Sequence, residues 1–245
     1  MKQGGEQRLR RMPRAARAVA VLAGAASVVL LAACGVPATS TPGQAASPSS
    51  GQVVAAFYGD SYTRGTGASS PEHRWSTIVA AERGWWEFNP SVDGLGFVNH
   101  REPTPNGAGA TGVDLVDQIV EHEPAPDLVI VTMGLNDNFS MPSRADDIEA
   151  AIGADLARFA DELPEARLVV VEPFRYTDER PDSVEQIIGW VEAAADEVDA
   201  EYIAGASRWL EGHPEWMAAD GIHPNDEGYA ELARRMDAEL AQLGL

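Results

Sequence analysis

The sequence predicts an α/β protein: a three-layer α/β/α domain around a mainly parallel sheet of five strands. Three observations carry this. Short, continuously apolar runs such as Leu128-Val129-Ile130-Val131 and Leu168-Val169-Val170-Val171 show no polar alternation, so both faces of each strand are buried. Longer stretches between them place apolar residues three and four apart, the period of a helix with one buried face. Strand and helix alternate about five times, and parallel strands need such crossovers.

The elements follow in order. Residues 53–58 (VVAAFY) are the first buried strand. A helix over 75–83 stops at Gly84, the residue suited to a left-handed helix end. A second strand over 85–88 is cut short by Asn89-Pro90. Residues 101–112, rich in Pro, Gly, Asn and Thr, read as a loop. A helix over 113–121 carries Val113, Val116, Ile119 and Val120 on one face. The third strand starts at Leu128. Ser143 is the expected N-cap of a long helix through Leu163, with Asp146, Asp147 and Glu149 in its first turns, where acids suit the helix dipole. The fourth strand is 168–171. Pro181 or Asp182 opens a helix to Val198, Tyr202-Ile203 is a short last strand, and Asn225 caps a final helix to Leu243.

The first 33 residues stand outside this pattern. Lys2, Arg8, Arg10, Arg11, Arg14 and Arg17 form a basic segment, and 18–33 is an uncharged apolar run. That run has the length of an export-signal core and is short for a membrane span. It ends in Leu31-Ala32-Ala33-Cys34-Gly35, which resembles the bacterial lipobox, where a signal is cut before a cysteine that then carries a diacylglyceryl group. Cys34 is the only cysteine, so no internal disulfide can form. The expected organisation is a lipoprotein signal peptide over 1–33, a lipidated Cys34 with a flexible linker over 34–51, and a folded domain over 52–245. Two or more acyl chains hold a membrane firmly where one holds marginally. The expected membrane partner is therefore reached through Cys34, on the extracytoplasmic face of a bacterial cell membrane. An ordinary signal peptide with a chance cysteine is the alternative, and Arg10-Arg11 leaves Sec and twin-arginine export both open.

After residue 33 the chain has 12 basic and 37 acidic residues, a formal charge of −25, and every basic residue is arginine. This acidity excludes nucleic acid and anionic lipid surfaces as electrostatic partners. It keeps an exported domain soluble without identifying a substrate.

Three strings carry chemistry. Gly59-Asp60-Ser61 directly follows the first strand, Gly134-Leu135-Asn136-Asp137 follows the third, and Asp220-Gly221-Ile222-His223-Pro224 precedes the last helix. Parallel α/β sheets bind ligands beyond the carboxyl ends of their strands, which puts the first two strings at one edge. A serine hydroxyl is a weak nucleophile until a base takes its proton. A histidine with a carboxylate three residues earlier can be that base, and an asparagine amide donates to an oxyanion without titrating. Each string has a plainer reading alone: Ser61 as a turn serine capping a helix, His223 as a solvated loop histidine.

In this order the strings resemble the SGNH (GDSL-like) hydrolase superfamily, over nearly all of 52–245. The resemblance implies a flavodoxin-like sheet and a serine esterase. It makes Ser61 the nucleophile, His223 the base, Asp220 its orienter, and the Ser61 backbone N–H and Asn136 side chain oxyanion donors. The family's further donor is a loop glycine, for which Gly107, Gly109 and Gly112 compete; Gly109-Ala110-Thr111 is most like the family segment, so Gly109 is chosen. Asp60 and Asp137 are expected to brace turns. No cofactor or metal is expected, because the five histidines include no His-x-His or His-x-x-x-His pair. The substrate expected is a small-molecule or glycan ester, with Trp209 or Trp216 as a candidate lining of the acyl pocket. Acyl transfer by the same residues, and an inactive binding lipoprotein on this fold, are the alternatives.

Overall fold

A computed structural model of the chain describes residues 47–101 and 114–245. The expected signal peptide, Cys34 and most of the expected linker lie outside the described residues, as do Val113 and the three candidate glycines Gly107, Gly109 and Gly112.

Five strands form one sheet: β1 (Val54–Tyr58), β2 (Trp86–Phe88), β3 (Leu128–Val131), β4 (Arg167–Val171) and β5 (Glu201–Ile203). Their order is β2-β1-β3-β4-β5 and every pairing is parallel. The chain leaves β1 for β2 and returns to β3 on the other side of β1. The order therefore reverses between β1 and β3, the place where such sheets open a crevice for ligands. Tyr58 pairs with Val131, so the segments after both strands leave the sheet side by side.

Side chains alternate along a strand, and so the sheet has two cores. Ala56, Tyr58, Val129 and Val131 pack on one face with α3 (Leu115–Val120), α4 (Ala145–Glu162) and α5 (Asp182–Glu197). Ala55, Phe57 and Ile130 pack on the other with Trp75 and Val79 of α2 (Trp75–Arg83) and Tyr229, Leu232 and Met236 of α6 (Asp226–Gln242). Phe57 and Trp75 are fully buried and meet edge to face at 5.4 Å. Truncating either to alanine costs about 3–5 kcal/mol.

The helix ends follow their chemistry. Gly84 ends α2 at φ +68°, and the Asn225 side chain accepts from Gly228 N–H to cap α6. Helix α3 begins after Asp114, whose carboxylate accepts from Val116 N–H. One expectation fails: Ser143 does not cap α4. Its hydroxyl donates back to the Ser140 carbonyl at 3.0 Å, and Arg144 holds the cap position with no side-chain cap bond. A serine that finds a local carbonyl in the preceding turn is withdrawn from capping.

Candidate active site

The turn after β1 is built by close approach. A Cβ at Gly59 would lie 2.4 Å from Thr63 Oγ1 and 2.6 Å from Thr132 Oγ1, so only glycine passes. Ser61 then opens α1, a single turn over Ser61–Arg64, and the Asp60 carboxylate caps it by accepting from Tyr62 N–H at 2.9 Å. As the first helical residue, Ser61 has an N–H with no intrahelical partner.

The loop carrying Asp220 and His223 is pinned at its ends. Met217 and Pro224 form an antiparallel bridge, Ala218 N–H donates to His223 O at 2.7 Å, and Asn225 Nδ2 donates to Glu215 O at 2.8 Å. Tyr62 ties this loop to the Ser61 turn: its hydroxyl donates to Ile222 O at 2.7 Å, and its ring lies 6.0 Å from the His223 ring. Gly67, at φ +96°, leaves room for the same loop, since a Cβ there would sit 2.4 Å from Pro224 O.

These constraints bring Ser61 Oγ to 2.9 Å from His223 Nε2, and His223 Nδ1 to 2.7 Å from Asp220 Oδ2. The other Asp220 oxygen accepts from Ile222 N–H and His223 N–H at 2.9 and 3.0 Å. The imidazole bond, followed by these two backbone bonds, holds the Asp220 carboxyl down at about 2. A carboxylate on Nδ1 fixes the tautomer in which Nε2 accepts from a hydroxyl. The arrangement can therefore deprotonate Ser61.

Asn136 lies in the 3-10 turn Leu135–Ser140 that follows β3. Its Nδ2 donates to Asp60 Oδ2 at 3.1 Å and to Leu95 O at 2.9 Å. Asp60 is fully buried, and that burial pushes its carboxyl up to about 7. The next residue, Asp137, accepts from the N–H groups of Phe97, Val98 and Asn99 at 2.7, 2.8 and 3.1 Å. It braces a segment rather than facing Ser61, as expected.

Ser61, His223, Asp220, Asn136 and Asp60 thus come together at the carboxyl edge of β1 and β3. Sequence reasoning missed the 95–99 segment that holds Asn136 and Asp137, and the Tyr62 and Gly67 contacts with the histidine loop. Backbone acceptors leave no residue-type signal, whereas Tyr62, adjacent to Ser61, offered a weak one. A cleft of about 370 Å³ flanks the histidine loop, lined by Tyr176, Leu210, Met217, Ala218 and Gly221 among others. Neither expected tryptophan lines it: Trp209 packs on Phe174 in the core, and Trp216 stacks on His213 at 3.6 Å. Among the described residues no group of three or more His, Cys, Asp or Glu side chains could hold a metal ion.

The fold, with these strings at its switch point, defines an SGNH-type α/β hydrolase of ester bonds. The chain belongs to the GDSL-like lipase/acylhydrolase family, which residues 57–231 match. A GDSL lipase of Mycobacterium tuberculosis (strain ATCC 25618 / H37Rv) is 29% identical over 191 residues, covering 74% of this chain and 78% of that protein. Solved structures share the fold, two esterases among them. The psychrotrophic esterase EstA from Pseudoalteromonas sp. has a TM-score of 0.58 at 15% identity, covering 78% of this chain and 97% of its own. Est24, a carbohydrate acetylesterase from Sinorhizobium meliloti, has a TM-score of 0.56 at 21% identity, covering 78% of this chain and all of its own (100%).

Proposed function

We propose that this ester hydrolase is a lipid-anchored extracytoplasmic serine esterase that works through Ser61, His223 and Asp220. The observation that carries the reading is the unbroken relay of Ser61 Oγ to His223 Nε2 at 2.9 Å and His223 Nδ1 to Asp220 at 2.7 Å.

In this mechanism Ser61 Oγ bonds to the ester carbonyl carbon as its proton passes to Nε2. The negative charge grows on the carbonyl oxygen, which takes hydrogen bonds from Ser61 N–H, Asn136 Nδ2 and the Gly109 N–H. Both Asn136 N–H groups already have acceptors, so the oxyanion displaces one of them, and its full charge makes it the stronger acceptor. The tetrahedral intermediate expels the alcohol, which leaves with the proton from Nε2. Water then attacks the acyl-serine by the same base, releasing the carboxylic acid and restoring Ser61.

The substrate class is a short-chain acyl ester, with O-acetyl groups of carbohydrates included. The acetylesterase among the fold neighbours and the lipase relative support acyl esters as a class. The apolar run over 18–33, the Cys34 junction and the Pro/Ser/Thr/Gly/Ala tether over 35–51 support export and anchoring.

Hydrolysis of p-nitrophenyl acetate tests the chemistry: Ser61→Ala falls to the uncatalysed rate and loses labelling by a fluorophosphonate. Activity equal to wild type in that variant refutes the mechanism. Membrane fractionation tests the anchor, since Cys34→Ala moves the protein to the soluble fraction if the reading holds.

A further inference from the structure

Beyond residue 33 the chain holds twelve arginines against 37 acids. Eleven of the twelve are in ion pairs with Asp or Glu. Among the described residues Arg175 is the exception. In so acidic a chain, a missing carboxylate is not a shortage of partners.

Arg175 is also buried, with 7% of its surface exposed. Its Nε donates to Glu179 O at 3.3 Å, and its Cζ lies 4.9 Å from the centre of the Tyr176 ring. Its Nη1 is buried with no hydrogen-bond partner. One carbonyl bond and a cation–π contact offset only part of the cost of desolvating a guanidinium. A buried, partly satisfied cation calls for a reason, and a ligand's negative charge is one.

Its position points the same way. Arg175 follows β4 at the carboxyl edge of the sheet. Phe174 before it stacks on Tyr62, the neighbour of Ser61, and the charge of Arg175 reaches Tyr62. Tyr176 after it lines the cleft beside the histidine loop. Arg175 itself lines a narrow cavity with Leu135 and Asn138, which flank the Asn136 turn. Arg175 thus adjoins, through Phe174, the residue next to Ser61, and shares a cavity wall with the residues that flank Asn136.

We infer that Arg175 is a specificity residue that takes a negatively charged group, carboxylate or phosphate, carried by the ester substrate. The inference rests on the esterase reading above. An acidic surface repels anionic esters in general, so a lone unpaired arginine at the site selects those that can reach it.

Two p-nitrophenyl esters of equal chain length test this: the butyrate, which is neutral, and the hemisuccinate, which ends in a carboxylate. Wild type shows a KM about tenfold lower for the hemisuccinate. Arg175→Gln raises that KM about tenfold and leaves kcat on both esters and KM for the butyrate within about twofold. No preference in wild type, or equal losses on both esters, overturns the inference. Calorimetric titration of succinate and of inorganic phosphate into the intact protein reads the site without turnover. Binding of either anion, weakened about tenfold in Arg175→Gln and largely kept in Arg175→Lys, supports it and says which anion fits. Binding of neither by wild type overturns it, whether or not the glutamine variant folds. Failure of wild type to turn over the butyrate strikes the Ser61 mechanism instead.

Discussion

Asp60 touches both the Ser61 turn and the Asn136 amide, and Asp60→Asn removes its charge while keeping its shape. The carboxyl is fully buried, and burial lifts it from 3.8 to about 7. In the unfolded chain it titrates at about 3.9. Between these values the folded protein holds a proton that the unfolded chain has released. The group's contribution to stability is therefore greatest below about pH 4, declines as pH rises through 7, and is constant above that. At about 1.4 kcal/mol per pH unit, the rise is worth about 4 kcal/mol. That is a large share of a typical domain's stability of roughly 5–15 kcal/mol.

The asparagine does not titrate. It keeps one oxygen for Tyr62 N–H but turns an NH₂ toward Asn136 Nδ2, a loss of about 1–3 kcal/mol. The variant is then less stable than wild type at about pH 4, before the Asp60 contribution begins to fall. The difference shifts in its favour as pH rises, so the two stabilities converge or cross before about pH 8. Urea unfolding of both proteins across that range, with equal slopes confirmed, measures the difference directly. A difference that stays constant over that range refutes the assignment of a raised carboxyl to Asp60.

The remaining expectations concern rate. Asn136→Ala lowers kcat by about 10²–10³-fold with little change in KM, because the lost bond forms to the oxyanion and not to the ground-state ester; steady-state kinetics on p-nitrophenyl acetate checks it. Asp220→Asn lowers kcat by about 10³–10⁴-fold while leaving the fold intact by circular dichroism, since the imidazole loses the acceptor that sets its tautomer. Gly67→Ala places a Cβ 2.4 Å from Pro224 O at a backbone φ of +96°, so the His223 loop must shift. It loses about 10²-fold in kcat and several degrees of Tm together.

The sheet was legible because buried parallel strands write themselves as apolar runs, and β3 and β4 are such runs. The pairing of Asp220 with His223 was legible for a local reason: at a three-residue spacing, Asp220 can accept from the His223 backbone with one oxygen and from its ring with the other. Apart from Asp60, what holds Asn136 and its neighbour Asp137 was not legible. Leu95 O and the N–H groups of 97–99 are backbone, and any residue could have supplied them. Ser143 misled because its hydroxyl had a nearer carbonyl than the helix N–H groups it was expected to cap. Arg175 looks in the sequence like eleven other arginines, and only the ion pairs around those set it apart. Gly109 rests on the family resemblance alone, because it lies outside the described residues.

Three aspartates sit in the three strings, and their surroundings divide the work. Asp220 has 45% of its side chain exposed and is held ionised by bonds from His223 and Ile222. An ionised carboxylate is what an imidazole needs as it takes a proton. Asp60 and Asp137 are buried, and burial raises both. Asp137 spends its oxygens on three N–H groups. Asp60 bonds the Asn136 amide, which in the proposed reaction turns to the oxyanion. An ionised Asp60 would compete for that amide and repel the charge developing beside it. A protonated one holds the amide more weakly and carries no charge to repel the oxyanion, and it still accepts from Tyr62 N–H. Below about pH 7, the burial that makes Asp60 costly to ionise thus removes a negative charge from the place where the proposed reaction must create one.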